Sequence, residues 1–392
     1  MSNDRTERLI ALRRDLHRHP ELGFREHETT QQLRDALERL GIDYDDSLNE
    51  TGLVATLRGS GGDSDASVAL RADIDALPIL EKSGADHAST HEGRMHACGH
   101  DGHTAMLLGA AEALAERADF DGTVHFVFQP AEETGSGADA MIEAGLFERH
   151  SIGEIFALHN WPALPVGRFG VMPGPIMAGG DRVRIKIEGH GGHGGMNPHG
   201  CTDPVLIAAE LIVQANTIVG REIDPLVPAV LSLCAIEAGD VVDGFNVIPD
   251  TARLCGTIRT LDDDARERVR EALAARCRGL EASRDCTITL EIEDLFDVTV
   301  NDPRATEIAV EAIEAEFGAD ALASGHRPCM AGEDFAAMLA RCPGAYIHVG
   351  AGDEEHSVDL HDPHYDFNDA IIPDGVTLLV ALARHSLRRQ NA

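Results

Sequence analysis

The sequence predicts an α/β fold: a mostly parallel sheet covered by helices, interrupted by an inserted ferredoxin-like unit of order βαββαβ. Three observations predict it. Strand and helix patterns alternate over the first part of the chain, the alternation breaks near Asp181, and it resumes after residue 296. The expected division is a larger domain of residues 1–181 and 297–392 around an inserted domain of residues 182–296. A chain of 392 residues is too long for one ordinary core, which agrees with two domains.

The segments "ERLIALRRDLHR" and "REHETTQQLRDALERLG" carry apolar residues at helical spacing, the second closing on Gly41. "GLVATLRG" and "SVALRADIDALP" read as strands separated by a Gly/Ser/Asp turn. A helix from about Thr104 to Arg117 follows, then the strand "GTVHFVFQP", the helix "GADAMIEAGLFE" and the strand "EIFALHNW". The inserted unit opens with the alternating strand "DRVRIKIEGHGG". Its first helix starts at Thr202 or Asp203, with Pro204 in the first turn. Strands "AVLSLCAIEAG" and "TARLCGTIRTL", the helix "DDDARERVREALAARCRGLEA" and the strand "CTITLEIEDLFDVTV" complete it. Afterwards come helices "PRATEIAVEAIEAEFG" and "GEDFAAMLA", the strand "GAYIHVG" and a last helix from about Asp374 to Arg388.

Hydrophobic residues, at 43%, suffice for two cores, and no run of about 18 apolar residues suggests a membrane span. The N-terminal stretch is charged and helical in pattern without the apolar region of a signal peptide, so a cytoplasmic protein is expected. Eight cysteines without a CxxC pair fit a reduced compartment and mostly buried thiols. The formal net charge is −34, and Lys82 and Lys186 are the only lysines. Such a surface repels phosphates, which excludes nucleic acid as a partner. Dense carboxylates with few lysines favour adaptation to high salt, where screening tolerates them, over an ordinary acidic enzyme.

Chemistry concentrates at the ends of the strands, where open α/β sheets place their sites. "MHACGHDGHTA" sets His96, Cys98, His100 and His103 at the start of a helix. Cys98 and His100, two apart in an extended segment, face the same way. "FQPAEE" puts Glu132 and Glu133 at one strand end, "ALHNW" puts His159 at the next, and "DLHDPHYDFND" adds His361 and His364. A hydrolytic metal site needs one carboxylate to hold the ion and a free one to take a proton from water. The two adjacent glutamates supply that pair without revealing which is which. Asp73 or Asp75 in "ALRADIDALP" is suited to fix the tautomer of a ligand histidine. His87 and His91 read as solvated loop histidines. Two other classes stay open on these residues: an enzyme with Cys98 as nucleophile, and a metal-binding protein without catalysis.

Taken together, "MHACGHDGHTAMLLGAA", "FQPAEE", "ALHNWP", "FNVIPD", "GTIRTLD", "GEDFA" and "LHDPHYDFND" resemble the amidohydrolase branch of the aminoacylase/carboxypeptidase metallohydrolases, in order and over almost the whole chain. The resemblance implies a catalytic α/β domain interrupted by a lid domain. It implies two divalent ions per subunit, Mn2+ or Zn2+, held by Cys98, His100, Glu133, His159 and His361, with Cys98 bridging. Glu132 falls on the general base, and Asp75 is counted with it among the catalytic residues. His193 in "GHGGHGGMNPHG" matches the histidine that polarises the scissile carbonyl, often across a dimer, although the stretch from it to Pro198 and His199 is one residue longer than usual. Asn246 and Arg259 match positions that hold the substrate's carbonyl or carboxylate, a task suited to the planar guanidinium. The implied activity is hydrolysis of N-acyl amino acids by a homodimer, or higher oligomer, assembled through the lid. A carboxypeptidase or dipeptidase of small peptides is the alternative, and Cys98 in place of a bridging aspartate favours the former.

Overall fold

A computed structural model describes residues 2–62 and 64–392. The chain divides into two compact units: Met1–Ile176 with Thr299–Arg327 and Asp334–Ala392, and Met177–Val298 with Pro328–Glu333. In chain order the strands of the first unit begin with β1 (Asp43–Asp45), β2 (Leu53–Arg58), β3 (Ser67–Asp73) and β4 (Thr123–Gln129). They continue with β5 (Glu154–Pro165), β6 (Phe169–Gly170) and β7 (Gly174–Met177). The second unit contributes β8 (Gly179–Glu188), β9 (Gly192–His193), β10 (Ala229–Ala238), β11 (Val247–Ile248), β12 (Thr251–Thr260) and β13 (Thr287–Phe296). Then β14 (Thr299–Asn301) and β15 (Gly344–Gly352) return to the first.

The first unit's main sheet has the order β1-β2-β4-β3-β5-β15-β6. Its four middle strands are mutually parallel and the outer pairings antiparallel, so the expected mostly parallel sheet is present. Strand β3 is buried along its whole length, as a strand covered on both faces must be. Ten helices occur in the described residues. They begin with α1 (Asn3–Arg18), α2 (His27–Leu40), α3 (His100–Glu116), α4 (Gly137–Glu143) and α5 (Leu146–Arg149). The rest are α6 (Pro204–Glu222), α7 (Asp263–Arg284), α8 (Pro303–Phe317), α9 (Phe335–Leu339) and α10 (Ile372–Gln390). Gly41, left-handed at φ +68°, ends α2 as the sequence suggests. Helix α10 is long and apolar enough on composition to cross a membrane. It packs instead on α3 and α8 as a core helix.

Two expectations shift. Helix α3 starts at His100, four residues before the apolar pattern. Gly99 turns the chain in a left-handed conformation, and the polar first turn is buried against polar partners, so hydrophobic periodicity could not mark it. The single helix expected over 137–148 is two short ones, broken by Gly145 at φ +100°. Thiols are also less hidden than expected: Cys98, Cys277 and Cys342 are buried, but Cys234 and Cys255 are exposed.

In the second unit, β8, β10, β12 and β13 form an antiparallel sheet of order β10-β12-β8-β13, with α6 and α7 packed together and against it. This is the βαββαβ arrangement. Asp203 caps α6 by accepting the amides of Val205 and Leu206, which settles the start left between Thr202 and Asp203.

Arg13 joins three segments around the start of α3. It is 1% exposed and reaches Asp369 at 2.7 Å, the Phe367 carbonyl at 2.9 Å, Asp366 at 3.3 Å and Asp101 at 3.7 Å. Removing one partner from a buried ionic cluster leaves the others uncompensated. Arg13→Met is therefore expected to cost about 3 kcal/mol in chemical denaturation.

Candidate metal centre

The site lies at the carboxyl ends of β3, β4 and β5 and in the loops around them. Asp73 ends β3, with Asp75 two residues on. Strand β4 ends at Gln129, and the chain turns through Pro130 and Ala131 into a short 3-10 turn, Glu132–Thr134, that carries both glutamates. His159 sits in β5, Cys98 just before α3, and His361 in the loop after β15. Ala131 at φ +56° and His361 at φ +65° are non-glycine residues in the left-handed region. Such conformations persist only where the surroundings enforce them.

The five expected ligands come together. Cys98, His100 and His159 offer ligand atoms within 4.8 Å of one another, as do Cys98, Glu133 and His361. Cys98 belongs to both groups, the position a bridging thiolate would hold. Its Sγ is 3.4 Å from His159 Nε2. Bonds of about 2.3 and 2.0 Å to one tetrahedral ion would put such atoms about 3.5 Å apart. Glu133 Oε1 lies 3.4 Å from His361 Nε2 and 3.8 Å from His100 Nε2. Glu133 Oε1 and His100 Nε2 are buried without a hydrogen bond, which polar atoms in an interior rarely tolerate unless something else satisfies them. These residues fit divalent ions, and mixed sulfur, nitrogen and oxygen donors suit zinc-like metals.

Partners behind the ligands aim them. His159 Nδ1 donates to the Asn160 carbonyl at 2.8 Å, leaving Nε2 to face Cys98. Asp75 takes His100 Nδ1 on one oxygen at 3.2 Å and the Glu133 amide on the other at 3.0 Å, so one carboxylate orients two ligands. That is the role the sequence left between Asp73 and Asp75. Asp73 instead accepts from Arg71 at 2.7 Å and pairs with His103 Nδ1 at 2.6 Å. His103 Nε2 meets Asn160 Oδ1 at 2.7 Å, and Asn160 Nδ2 donates to the Tyr365 hydroxyl. A Cβ on Gly99 would lie 2.4 Å from Asn160 Oδ1, so only glycine allows Cys98 and His100 this approach.

Electrostatics favour positive charge here. Burial opposes it, yet Asp73, Asp75 and Glu133 push the His100 imidazole up to about 10. Burial and the neighbouring His103 hold His159 well below the usual histidine range, in the neutral form a ligand requires. Asp75 is raised by burial, against its bond to His100.

Glu132 is buried. One of its oxygens accepts the Asp334 amide at 3.4 Å, and it groups with His100 and Glu133. Asp334 is buried and accepts from Arg71, Gln129 and the Ala138 amide. Nothing in the sequence marks Arg71 and Gln129 as parts of the site, because a polar residue in a buried strand announces itself only by its partners. His87 is no solvated loop residue: it is buried and bonds Asp366 at 2.9 Å. Asp101 supports the helix start, taking the Gly102 amide and His17 Nδ1. His364 pairs with Asp362 at the surface and joins none of the ligand groups. His96 is buried with both ring nitrogens unpartnered.

His193, Asn246 and Arg259 lie in the second unit. Strands β9 and β11 pair His193 with Val247, and the Gly194 amide donates to the Asn246 carbonyl, so the histidine and asparagine segments adjoin. His193 Nδ1 accepts the amides of Gly195 and Met196, which leaves the ring hydrogen on Nε2. Arg259 lies over the Phe296 ring and crosses β8 at Gly180, where a Cβ would be blocked by the guanidinium. Its guanidinium donates to the Ile258 carbonyl at 3.5 Å and lies in the field of the Asp181 carboxylate.

A parallel sheet with thiol, imidazole and carboxylate groups gathered at its strand ends suits a metal-dependent hydrolase. The chain belongs to the family described as Peptidase family M20/M25/M40, which matches residues 69–385. It is 37% identical to hippurate hydrolase of Campylobacter jejuni over 379 residues, 96% of either chain. It is 39% identical to an N-acetylcysteine deacetylase of Bacillus subtilis over 364 residues, 92% of either chain. Among solved structures it resembles the YXEP protein of Bacillus subtilis, described as a dinuclear metal-binding peptidase. That match has a TM-score of 0.85 and 34% identity, and it covers 99% of each chain.

Asp75→Asn presents a donor where His100 Nδ1–H and the Glu133 amide both need acceptors. Its expected effect is about 10- to 100-fold weaker metal binding, read by titrating the apoprotein with Zn2+ or Mn2+.

Proposed function

We propose that the protein cleaves the amide bond of N-acyl amino acids at a binuclear centre, with Glu132 as general base. The observation that carries this reading is the pair of ligand groups sharing Cys98, with a second buried carboxylate beside them. Bound ions would polarise the amide carbonyl and make water a stronger acid. Glu132, with no ligand duty, takes a proton from the attacking water on a carboxylate oxygen and delivers it to the departing amine nitrogen. The resemblance of their motifs assigns His193 to donate from Nε2 to the carbonyl oxygen, and Asn246 and Arg259 to hold the substrate's polar groups. The names of the relatives, a hippurate hydrolase and an acetylcysteine deacetylase, support the substrate class. The description of YXEP as a peptidase supports the second reading, a small-peptide carboxypeptidase or dipeptidase.

A panel of N-acetyl and N-benzoyl amino acids and dipeptides, assayed with Mn2+ or Zn2+, separates the two. Cleavage of acyl amino acids is expected; cleavage of dipeptides alone would overturn the choice. Glu132→Gln is expected to lower kcat by about 10²- to 10⁴-fold with metal stoichiometry unchanged. A chelator is expected to abolish activity and either ion to restore it, whereas a Cys98 nucleophile would keep working without metal.

We further propose a homodimer formed along β10. This strand is one of the two edges of its sheet, β13 being the other, and carries exposed Ile236. The loop after it exposes Val241, Val242 and Phe245, and α6 exposes Leu206 and Val213. Ile236→Lys is expected to shift sedimentation from dimer to monomer. A cytoplasmic, salt-adapted enzyme is the matching reading of the acidic surface. Its activity should persist at about 1 M KCl, where the screening length falls to about 3 Å.

A further inference from the structure

Glu26 is fully buried, and no role described above uses it. It occupies the N-cap position of α2, yet its carboxylate makes no bond to that helix. The first-turn amides of Glu28 and Thr29 are taken by Glu21 instead. A buried carboxylate is costly without partners, so the groups it does hold are informative. One oxygen accepts the Ala131 amide at 2.8 Å and the other the Thr51 hydroxyl at 2.7 Å. The Glu26 carbonyl is tied to the Thr30 hydroxyl, which in turn accepts the Gly52 amide at 2.9 Å.

Ala131 is the residue on which the turn after β4 depends. It is buried and left-handed, and its methyl group has no means of fixing that conformation. Its neighbours leave it little room. A Cβ on Gly23 would be 3.1 Å from Ala131, and one on Gly52 would be 2.6 Å from the Pro130 ring. Without Glu26 the Ala131 amide would be an unpaired buried donor, and another local conformation would relieve it. Glu132 and Glu133 follow immediately, so any change at Ala131 redirects both.

We propose that Glu26 is a positioning residue for the metal centre: by holding Ala131 in its left-handed turn, it sets the direction in which Glu132 and Glu133 leave β4. This rests on the reading of Glu133 as a ligand and Glu132 as proton acceptor. Hydrogen bonds carry the effect, so glutamine can replace Glu26. Its amide oxygen accepts from Ala131, and its nitrogen donates to a reoriented Thr51 hydroxyl.

The test compares wild type, Glu26→Ala, Glu26→Gln and Thr51→Val by titration of each apoprotein with Mn2+ and by steady-state kinetics. Glu26→Ala is expected to bind Mn2+ about 10-fold more weakly and to lose about 10- to 100-fold in kcat, with KM within about threefold. Glu26→Gln should stay within about threefold of wild type in both. Thr51→Val, which removes one bond and keeps the volume, should shift both in the same direction by less, and it decides the matter if Glu26→Ala does not fold. Unchanged affinity and kcat in a folded Glu26→Ala, or a loss of Tm alone, would overturn the proposal. So would Glu26→Gln as impaired as Glu26→Ala. The titration needs no substrate: a wild type that binds Mn2+ but cleaves no N-acyl amino acid refutes the functional reading while leaving this one to the variants. A wild type that binds no metal refutes both.

Discussion

Asp73, Asp75, Glu132 and Glu133 crowd the carboxyl ends of β3 and β4, nearly all of them out of contact with water. Four carboxylates cannot share an interior unless cations or hydrogen-bond donors balance them. Arg71 answers Asp73 and Asp334, His103 answers Asp73, and backbone amides answer Asp75 and Glu132. The rise of the His100 imidazole shows that the local field still favours positive charge. Divalent ions would supply such charge at the two groups that meet on Cys98.

That balance explains why so much polar structure stands behind the ligands. Each ligand histidine in the buried cluster has its second nitrogen committed, His159 to a backbone carbonyl and His100 to Asp75. The first turn of α3 is held from the other side, where Asp101 meets His17 and Arg13 reaches the Asp366–Asp369 segment. Rigid support of this kind matters because a ligand displaced by about 0.5 Å binds and catalyses poorly. Two of the left-handed non-glycine residues, Ala131 and His361, lie in the same region, where packing and hydrogen bonds enforce the conformation.

The second unit follows another logic. Its sheet is covered by α6 and α7, and β10 is left as an unpaired edge. His193 and Asn246 are brought side by side by the two-residue pairing of β9 and β11. Gly180 on the neighbouring strand gives the Arg259 guanidinium room to lie across β8.

The parallel sheet and the βαββαβ unit were legible in the sequence by itself, because alternation of apolar residues is local in the chain. Clusters of histidine, cysteine and glutamate marked where chemistry collects, while Cys98, His100, Glu133, His159 and His361 were singled out as a ligand set only by the family resemblance. The sequence did not separate Asp73 from Asp75 or show that α3 begins at His100, since those depend on which buried polar atoms face each other. Arg71, Gln129, Asp334 and His87 were silent or misread for the same reason. Their partners lie far away in sequence, Asp334 being bonded by Gln129 and His87 by Asp366. Hydrophobic pattern reports burial, but not which buried group a polar side chain meets. Only the packed tertiary structure decided that.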